Sequence, residues 1–155
     1  MIKHHLRRAA LFAAVLATAG TTGLAAAAPA QAATSCSGTV TYSETVPRTG
    51  SAVGELVIYY NTSNGGTNSA CFYHRGAAYG VMTLTGVQVV RCSQRSGEGR
   101  TCTIAAISAP DEGDYKYYAG PVGVTGTANY CVAARGWIQW GSSTVYTVDS
   151  GTQGC

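Results

Sequence analysis

Apolar and polar residues alternate along short stretches from residue 38 onward, and clusters of Gly, Ser, Asn and Pro separate these stretches. "GTVTYSETV" (38–46) has the period of two typical of a half-buried strand. "GELVIYYNT" (54–62) is rich in β-branched and aromatic residues, and "SNGG" then supplies residues that favour positive φ. The pattern predicts about eight strands, over residues 38–46, 54–62, 70–74, 79–92, 102–108, 114–126, 129–140 and 143–148.

The composition supports an all-β fold. The chain has 20 Gly and ten Tyr residues, only 11% of its residues are charged, and no helical period occurs outside the N-terminal segment. We therefore expect a small antiparallel β-sandwich, immunoglobulin-like in general shape and held together by disulfides. No repeat or linker divides it, so residues 33–155 are expected to form a single domain.

The N-terminal segment has the features of an export signal. Lys3, Arg7 and Arg8 precede the apolar run "AALFAAVLATAG", and "APAQAA" follows with small residues at a cleavage position. This predicts a secretory signal peptide over residues 1–32. The run is too short and too rich in Ala to be a convincing membrane span. We expect a secreted protein, extracellular or on a cell surface, with no membrane contact after the signal is removed.

The net charge of +3 belongs to this leader, because three of the ten Lys and Arg residues lie in it. The remainder of the chain is near neutral. A basic surface for nucleic acid is therefore unsupported, and no nucleic-acid partner is expected.

All six cysteines follow the leader, and an even number in an exported chain predicts three disulfides. "CSQRSGEGRTC" is a polar loop between two apolar runs, so Cys92 is expected to pair with Cys102. Three pairings remain for the other four cysteines. Among them we favour Cys36 with Cys71 and Cys131 with Cys155.

The candidate chemistry is sparse. Asp111, Glu112 and Asp114 are weak metal candidates, because "PDEGDY" reads as a solvated turn and lacks the ligand spacing of a calcium loop. His74 is the only histidine after the leader, and no G-x-S-x-G motif accompanies it. We therefore expect no enzyme, no catalytic residue, no cofactor and no metal.

Aromatic residues are the stronger binding candidates. Strand alternation would place Tyr115 with Tyr117 on one face and Tyr118 on the other. It would likewise place Trp137 and Trp140 on opposite faces of their strand. An exposed aromatic strip of this kind can bind sugars or a protein partner, and the alternative is cross-strand packing. The tentative binding residues are Tyr117, Tyr118, Trp137 and Trp140.

The loop between Cys92 and Cys102 offers an alternative function. Arg95 and Arg100 each precede a bond that a trypsin-like protease could cleave, and the disulfide would hold the loop as an inhibitor requires. Two glycines in this loop favour mobility instead. A secreted serine-protease inhibitor thus remains one hypothesis. A carbohydrate-binding module and an adaptor subunit of a secreted complex are two others.

Two resemblances converge on "PDEGDYKYYAGPV" (110–122). "DEGDY" resembles the segment that enters strand F of immunoglobulin variable domains, where the tyrosine forms a corner. This implies a largely buried Tyr115 whose hydroxyl bonds to backbone near Asp111.

The wider resemblance is to the small secreted spore-associated proteins of filamentous actinobacteria, of the spore-associated protein A type. It is carried by "GELVIYYNTSNGGTNSACFY", "DEGDYKYYAGPV", "CVAARGWIQWG" and the terminal "GTQGC". The departure is the Cys92 and Cys102 pair, which this family lacks. The resemblance implies a non-enzymatic protein on the spore or hyphal surface that acts by association. Its partner would be an unknown protein or a glycan of the cell wall or spore surface.

Overall fold

Nine strands form in the computed structural model, which describes residues 35–155. The predicted signal peptide, residues 1–32, lies outside the described residues. Two 3-10 turns, Ser63–Gly65 and Gly76–Ala78, flank the third strand. The strands are β1 (Thr39–Val46), β2 (Gly54–Asn61), β3 (Thr67–His74), β4 (Thr83–Cys92), β5 (Ile104–Ile107), β6 (Asp111–Tyr115), β7 (Tyr118–Thr125), β8 (Val132–Trp140) and β9 (Thr144–Asp149).

The strands make two antiparallel sheets. The first has the order β1-β2-β3-β7, and the second has the order β5-β4-β8-β9, with β6 paired beside β5 on the same edge of β4. The predicted all-β, disulfide-containing sandwich is therefore confirmed. Within residues 35–155, no helix has the length and hydropathy of a membrane span.

The centre of the core is the fully buried ring of Phe72 on β3. A side chain at Gly54 on β2 or at Gly136 on β8 would overlap this ring. Since Gly136 lies in the opposite sheet, the two glycines allow one aromatic ring to span both layers. Close packing of this kind is what makes core positions sensitive to added volume.

Three disulfides form in the described part of the chain, in the pairing favoured from the sequence, and two of them hold its ends. Cys36–Cys71 ties the N-terminal segment to β3, Cys92–Cys102 closes the β4–β5 connection, and Cys131–Cys155 ties the C-terminus to the start of β8. A disulfide in a small domain typically contributes about 2–4 kcal/mol.

One predicted element was wrong. Residues 114–126 do not form one strand, because a bend at Lys116 and Tyr117 sends β6 into the second sheet and β7 into the first. The "PDEG" turn is also incorrect: Asp111 pairs with Val87, and Tyr115 with Thr83. The free edge of β4 supplies backbone partners to 111–115, and this pairing outweighs the local turn preference.

Candidate functional site

The carboxylate of Asp111 links the two sheets. The Tyr115 hydroxyl donates to Asp111 Oδ1 at 2.5 Å, and the Gly120 amide of β7 donates to Oδ2 at 2.5 Å. The bond to Asp111 raises the pKa of Tyr115. Two expectations need correction, because Tyr115 is half-buried rather than largely buried, and its partner is a side chain rather than backbone. Asp111 and Tyr115 lie on the same face of β6, and the tyrosine ring lies over Gly113 between them, so its hydroxyl reaches the carboxylate.

The three weak metal candidates do not converge. Side chains alternate along β6, so Glu112 and Asp114 point away from Asp111. Glu112 accepts a hydrogen bond from Trp137 Nε1 at 2.8 Å. No group of three His, Cys, Asp or Glu side chains in residues 35–155 is close enough to hold a metal ion.

His74 is a core residue with no exposed surface. Its Nδ1 lies 3.1 Å from the Ala78 carbonyl oxygen, and its Nε2 lies 2.7 Å from Thr85 Oγ1. Burial lowers the pKa of His74. The neutral ring therefore donates from Nδ1 and accepts at Nε2, which links β3 to β4 through the 3-10 turn between them.

The four tentative aromatic residues lie in three different places. Tyr117 lies in the bend between β6 and β7, and Tyr118 begins β7; they are 50% and 45% exposed. Trp137 lies on the outer face of the second sheet, while Trp140 packs against the core. The expected sharing of one strand face by Tyr115 and Tyr117 is wrong, since the bend interrupts the alternation.

One end of the sandwich carries a group of exposed apolar side chains, which we call the tyrosine patch: Tyr79, Val81, Met82, Tyr117 and Tyr118. Tyr79 and Met82 are the most exposed of these, at 64% and 61%. The ring centroids of Tyr79 and Tyr117 are 5.2 Å apart. The patch therefore joins the β3–β4 connection to the β6–β7 bend.

Backbone hydrogen bonds fix the two segments of the tyrosine patch. The Gly80 amide donates to the Lys116 carbonyl at 2.8 Å, and the His74 amide donates to the Tyr117 carbonyl at 2.8 Å. Positive φ at Gly80 lets the chain turn between these contacts. Backbone hydrogen bonds therefore hold in place the segments that carry the exposed rings.

The patch continues onto the outer face of the first sheet. The ring of Tyr73 on β3 contacts Tyr118 at a centroid distance of 5.7 Å, and its hydroxyl lies 2.9 Å from that of Tyr59. The Arg75 guanidinium sits 4.8 Å from the Tyr73 ring centroid and donates to Glu55 at 2.6 Å. Desolvation and the bond to Tyr59 raise the pKa of Tyr73. Side chains from three strands therefore order this surface.

Trp137 forms a separate aromatic surface. Glu112, Gly86 and Trp137 stand in one row across β6, β4 and β8. A side chain at Gly86 would overlap the indole, so the ring covers Gly86 and reaches Glu112. Glycine within a strand commonly marks such a close approach.

The loop of residues 93–103 is bound to the C-terminal segment. Thr152 is fully buried; its carbonyl accepts the Gly99 amide at 2.7 Å, and its own amide donates to the Arg100 carbonyl at 2.9 Å. Thr152 Oγ1 accepts the Arg100 amide at 2.9 Å and donates to the Gly97 carbonyl at 2.5 Å. Glycines expected to make the loop mobile instead supply the positive φ that this docking needs.

Both candidate inhibitor residues are engaged within the chain. The backbone amide and carbonyl of Arg100 are bonded to Thr152, whereas a protease would need these groups for strand pairing. The Arg95 guanidinium donates to the Tyr130 hydroxyl at 2.7 Å and lies 4.5 Å from its ring centroid. This geometry does not favour insertion of either arginine into a specificity pocket.

Sequence reasoning missed Tyr79 and Met82, which it assigned to a strand beginning at residue 79. Gly76 and Gly80 were the available signals for a turn there. Mid-strand Gly86 was the corresponding signal for the position of Trp137. No family model, no curated protein and no solved structure matches this chain.

Proposed function

We propose that this protein is a non-enzymatic, exported binding protein of the spore or hyphal surface, and that the tyrosine patch is its contact surface. The observation that carries the proposal is the exposure of Tyr79, Met82 and Tyr117, at 64%, 61% and 50%. Contiguous apolar surface on a small domain commonly marks an interaction site. The association with spores rests on the sequence resemblance described above.

The chemistry of the patch suits a cell-surface partner. Tyrosine combines a large apolar ring with a polar hydroxyl, so it contacts both protein and sugar surfaces without full desolvation. The backbone bonds at Gly80 and at His74 fix the two segments before a partner binds. Fixing them in advance lowers the entropy lost on association.

The test is cosedimentation of the purified domain with isolated spore walls of a filamentous actinobacterium. We expect a Tyr79→Ser/Tyr117→Ser double variant to bind about tenfold more weakly, because two large aromatic contacts are lost. Val145→Ser is the matched control, since Val145 is 52% exposed but lies on β9, a strand that contributes no residue to the tyrosine patch. Equal binding by both variants would exclude the patch. No sedimentation of the wild type would exclude surface association.

A carbohydrate-binding module is the second candidate function, and the position of Trp137 favours it. The indole lies across Gly86 on an outer sheet face, with Nε1 held by Glu112. A fixed aromatic ring can stack on the apolar face of a sugar. On a glycan array, Trp137→Ala should abolish binding that Trp140→Phe retains. Absence of binding by the wild type would end this candidate.

The inhibitor hypothesis has a simple test. We expect titration of trypsin with the purified domain to leave the protease active at equimolar ratio, because Arg95 and Arg100 are bonded within the chain. Stoichiometric inhibition that is lost in Arg95→Gln or Arg100→Gln would reverse this expectation.

A further inference from the structure

A groove of about 510 Å³ lies on the outer face of the second sheet, on the side away from the core. Cross-strand register sets its apolar floor, because Val90 on β4 stands between Ile107 on β5 and Ala133 on β8. Ile104 and Ile107 are 57% and 55% exposed. Apolar side chains therefore line one part of a concave and accessible surface.

The next row of the same face is polar. Arg135 on β8 stands between Gln88 on β4 and Asp149 on β9. Arg135 Nε lies 3.5 Å from Asp149 Oδ1, and the two side chains are 60% and 67% exposed. An exposed pair of this kind is weak and can be rearranged by a ligand.

Arg100 supplies a second cation at the wall of the groove. Its guanidinium makes no ion pair with any residue of the described part of the chain. The groove therefore carries two cations against the single carboxylate of Asp149. The apolar row and the cationic row lie side by side.

The wall itself is held in place. The Cys92–Cys102 disulfide closes its base, and Thr152 bonds to Gly97, Gly99 and Arg100 on the C-terminal side. A ligand would meet a preformed site, and preformed sites bind with a smaller ordering cost.

We infer that this groove binds a small amphiphilic carboxylate. The apolar chain of the ligand lies against Val90, Ile104 and Ile107, and its carboxylate meets Arg100 and Arg135. Guanidinium groups bind carboxylates through paired, charge-assisted hydrogen bonds. The volume falls within the range of about 300–1,000 Å³ typical of small-molecule sites. This site is separate from the tyrosine patch and does not depend on it.

The test uses the disulfide-bonded domain of residues 33–155 with sodium decanoate below its micelle concentration. Amide shifts in a ¹H–¹⁵N NMR titration report binding. We expect saturable shifts at Gly99, Arg100 and Arg135.

Arg100→Gln should weaken binding about tenfold, since a charge-assisted contact is lost. Arg48→Gln is the matched control, because Arg48 is 72% exposed and pairs with Glu44 in the first sheet. Retained shift dispersion in both variants shows that the fold is intact.

Three outcomes of the titration would each overturn a different part of the proposal. Absence of saturable shifts with decanoate would overturn the groove as a ligand site. Equal affinity for 1-decanol would overturn the carboxylate assignment, and equal affinity for hexanoate would overturn the apolar contact. A negative result here leaves the wall-binding test of the tyrosine patch unaffected, because Tyr79 and Tyr117 are not part of the groove.

Discussion

Asp111 accepts the hydroxyl of Tyr115 at 2.5 Å while its second oxygen accepts the Gly120 amide at 2.5 Å. Asp111 and Tyr115 lie on β6 of the second sheet, whereas Gly120 lies on β7 of the first. One carboxylate thereby joins the two sheets along one side of the sandwich. Asp111, which lies in the acidic segment "DEGD", is therefore engaged in a structural contact.

Removing this carboxylate should destabilise the domain. We expect Asp111→Ala to lower the free energy of unfolding by about 2–4 kcal/mol, because two hydrogen bonds to a charged group are lost. Tyr115→Phe loses one of them and should cost about 1–2 kcal/mol. Urea denaturation followed by circular dichroism measures both. Asp114→Ala is the control on the same strand, since Asp114 is exposed. If Asp111→Ala and Asp114→Ala were equally stable, the link would contribute nothing.

His74 should make stability depend on pH. Burial lowers the pKa of His74 below its ordinary value, so the folded state keeps the ring neutral while the unfolded chain takes up a proton below about pH 6.5. The contribution is fully present above that pH and decreases as the pH falls. Unfolding free energies at about pH 7.5 and about pH 5 measure it.

The control is His74→Gln, which can donate to the Ala78 carbonyl but cannot be protonated. Carboxylates also titrate in this range, so the informative quantity is the difference between the two proteins. The wild type should lose more stability than His74→Gln on acidification. Equal losses would mean that His74 does not titrate on unfolding.

The fold was predictable where the signal is local. Strand alternation identified most strands, and the loop between Cys92 and Cys102 identified one disulfide. The remaining contacts depend on strand register, which is set by pairing between residues far apart in the sequence. Nothing near Asp111 in the chain indicates that β4 will pair with 111–115 and place the carboxylate beside Gly120.

The candidate site was less predictable for the same reason. Tyr79 and Tyr117 lie far apart in sequence, and they meet because a bend replaces the strand expected at Tyr117. The groove depends on the order of strands in the second sheet, which brings Ile107 beside Val90. Exposed positions also carry little periodic signal, because solvent accepts most residue types there.

Gly86 should be required for the position of Trp137. An added Cβ would overlap the indole, so Gly86→Ala should displace the ring, break the bond to Glu112 and cost about 1–3 kcal/mol. Tryptophan fluorescence and urea denaturation follow the two effects. In a double-mutant cycle, Gly86→Ala should cost much less in the background of Trp137→Ala. Additive effects would show that the overlap is not the cause.

Thr152 should control the mobility of the loop of residues 93–103. Its hydroxyl accepts the Arg100 amide and donates to the Gly97 carbonyl, and Thr152→Val removes both bonds while keeping the side-chain shape. We expect hydrogen exchange at the Arg100 amide to accelerate about fivefold, because one net hydrogen bond is worth about 1 kcal/mol and opening becomes easier. Thr147→Val is the control, since Thr147 is exposed on the outer face of β9.

The Cys92–Cys102 disulfide should keep the loop closed in both variants, so global stability should fall by no more than about 2 kcal/mol. Unchanged exchange at Arg100 in Thr152→Val would show that the disulfide alone positions the loop.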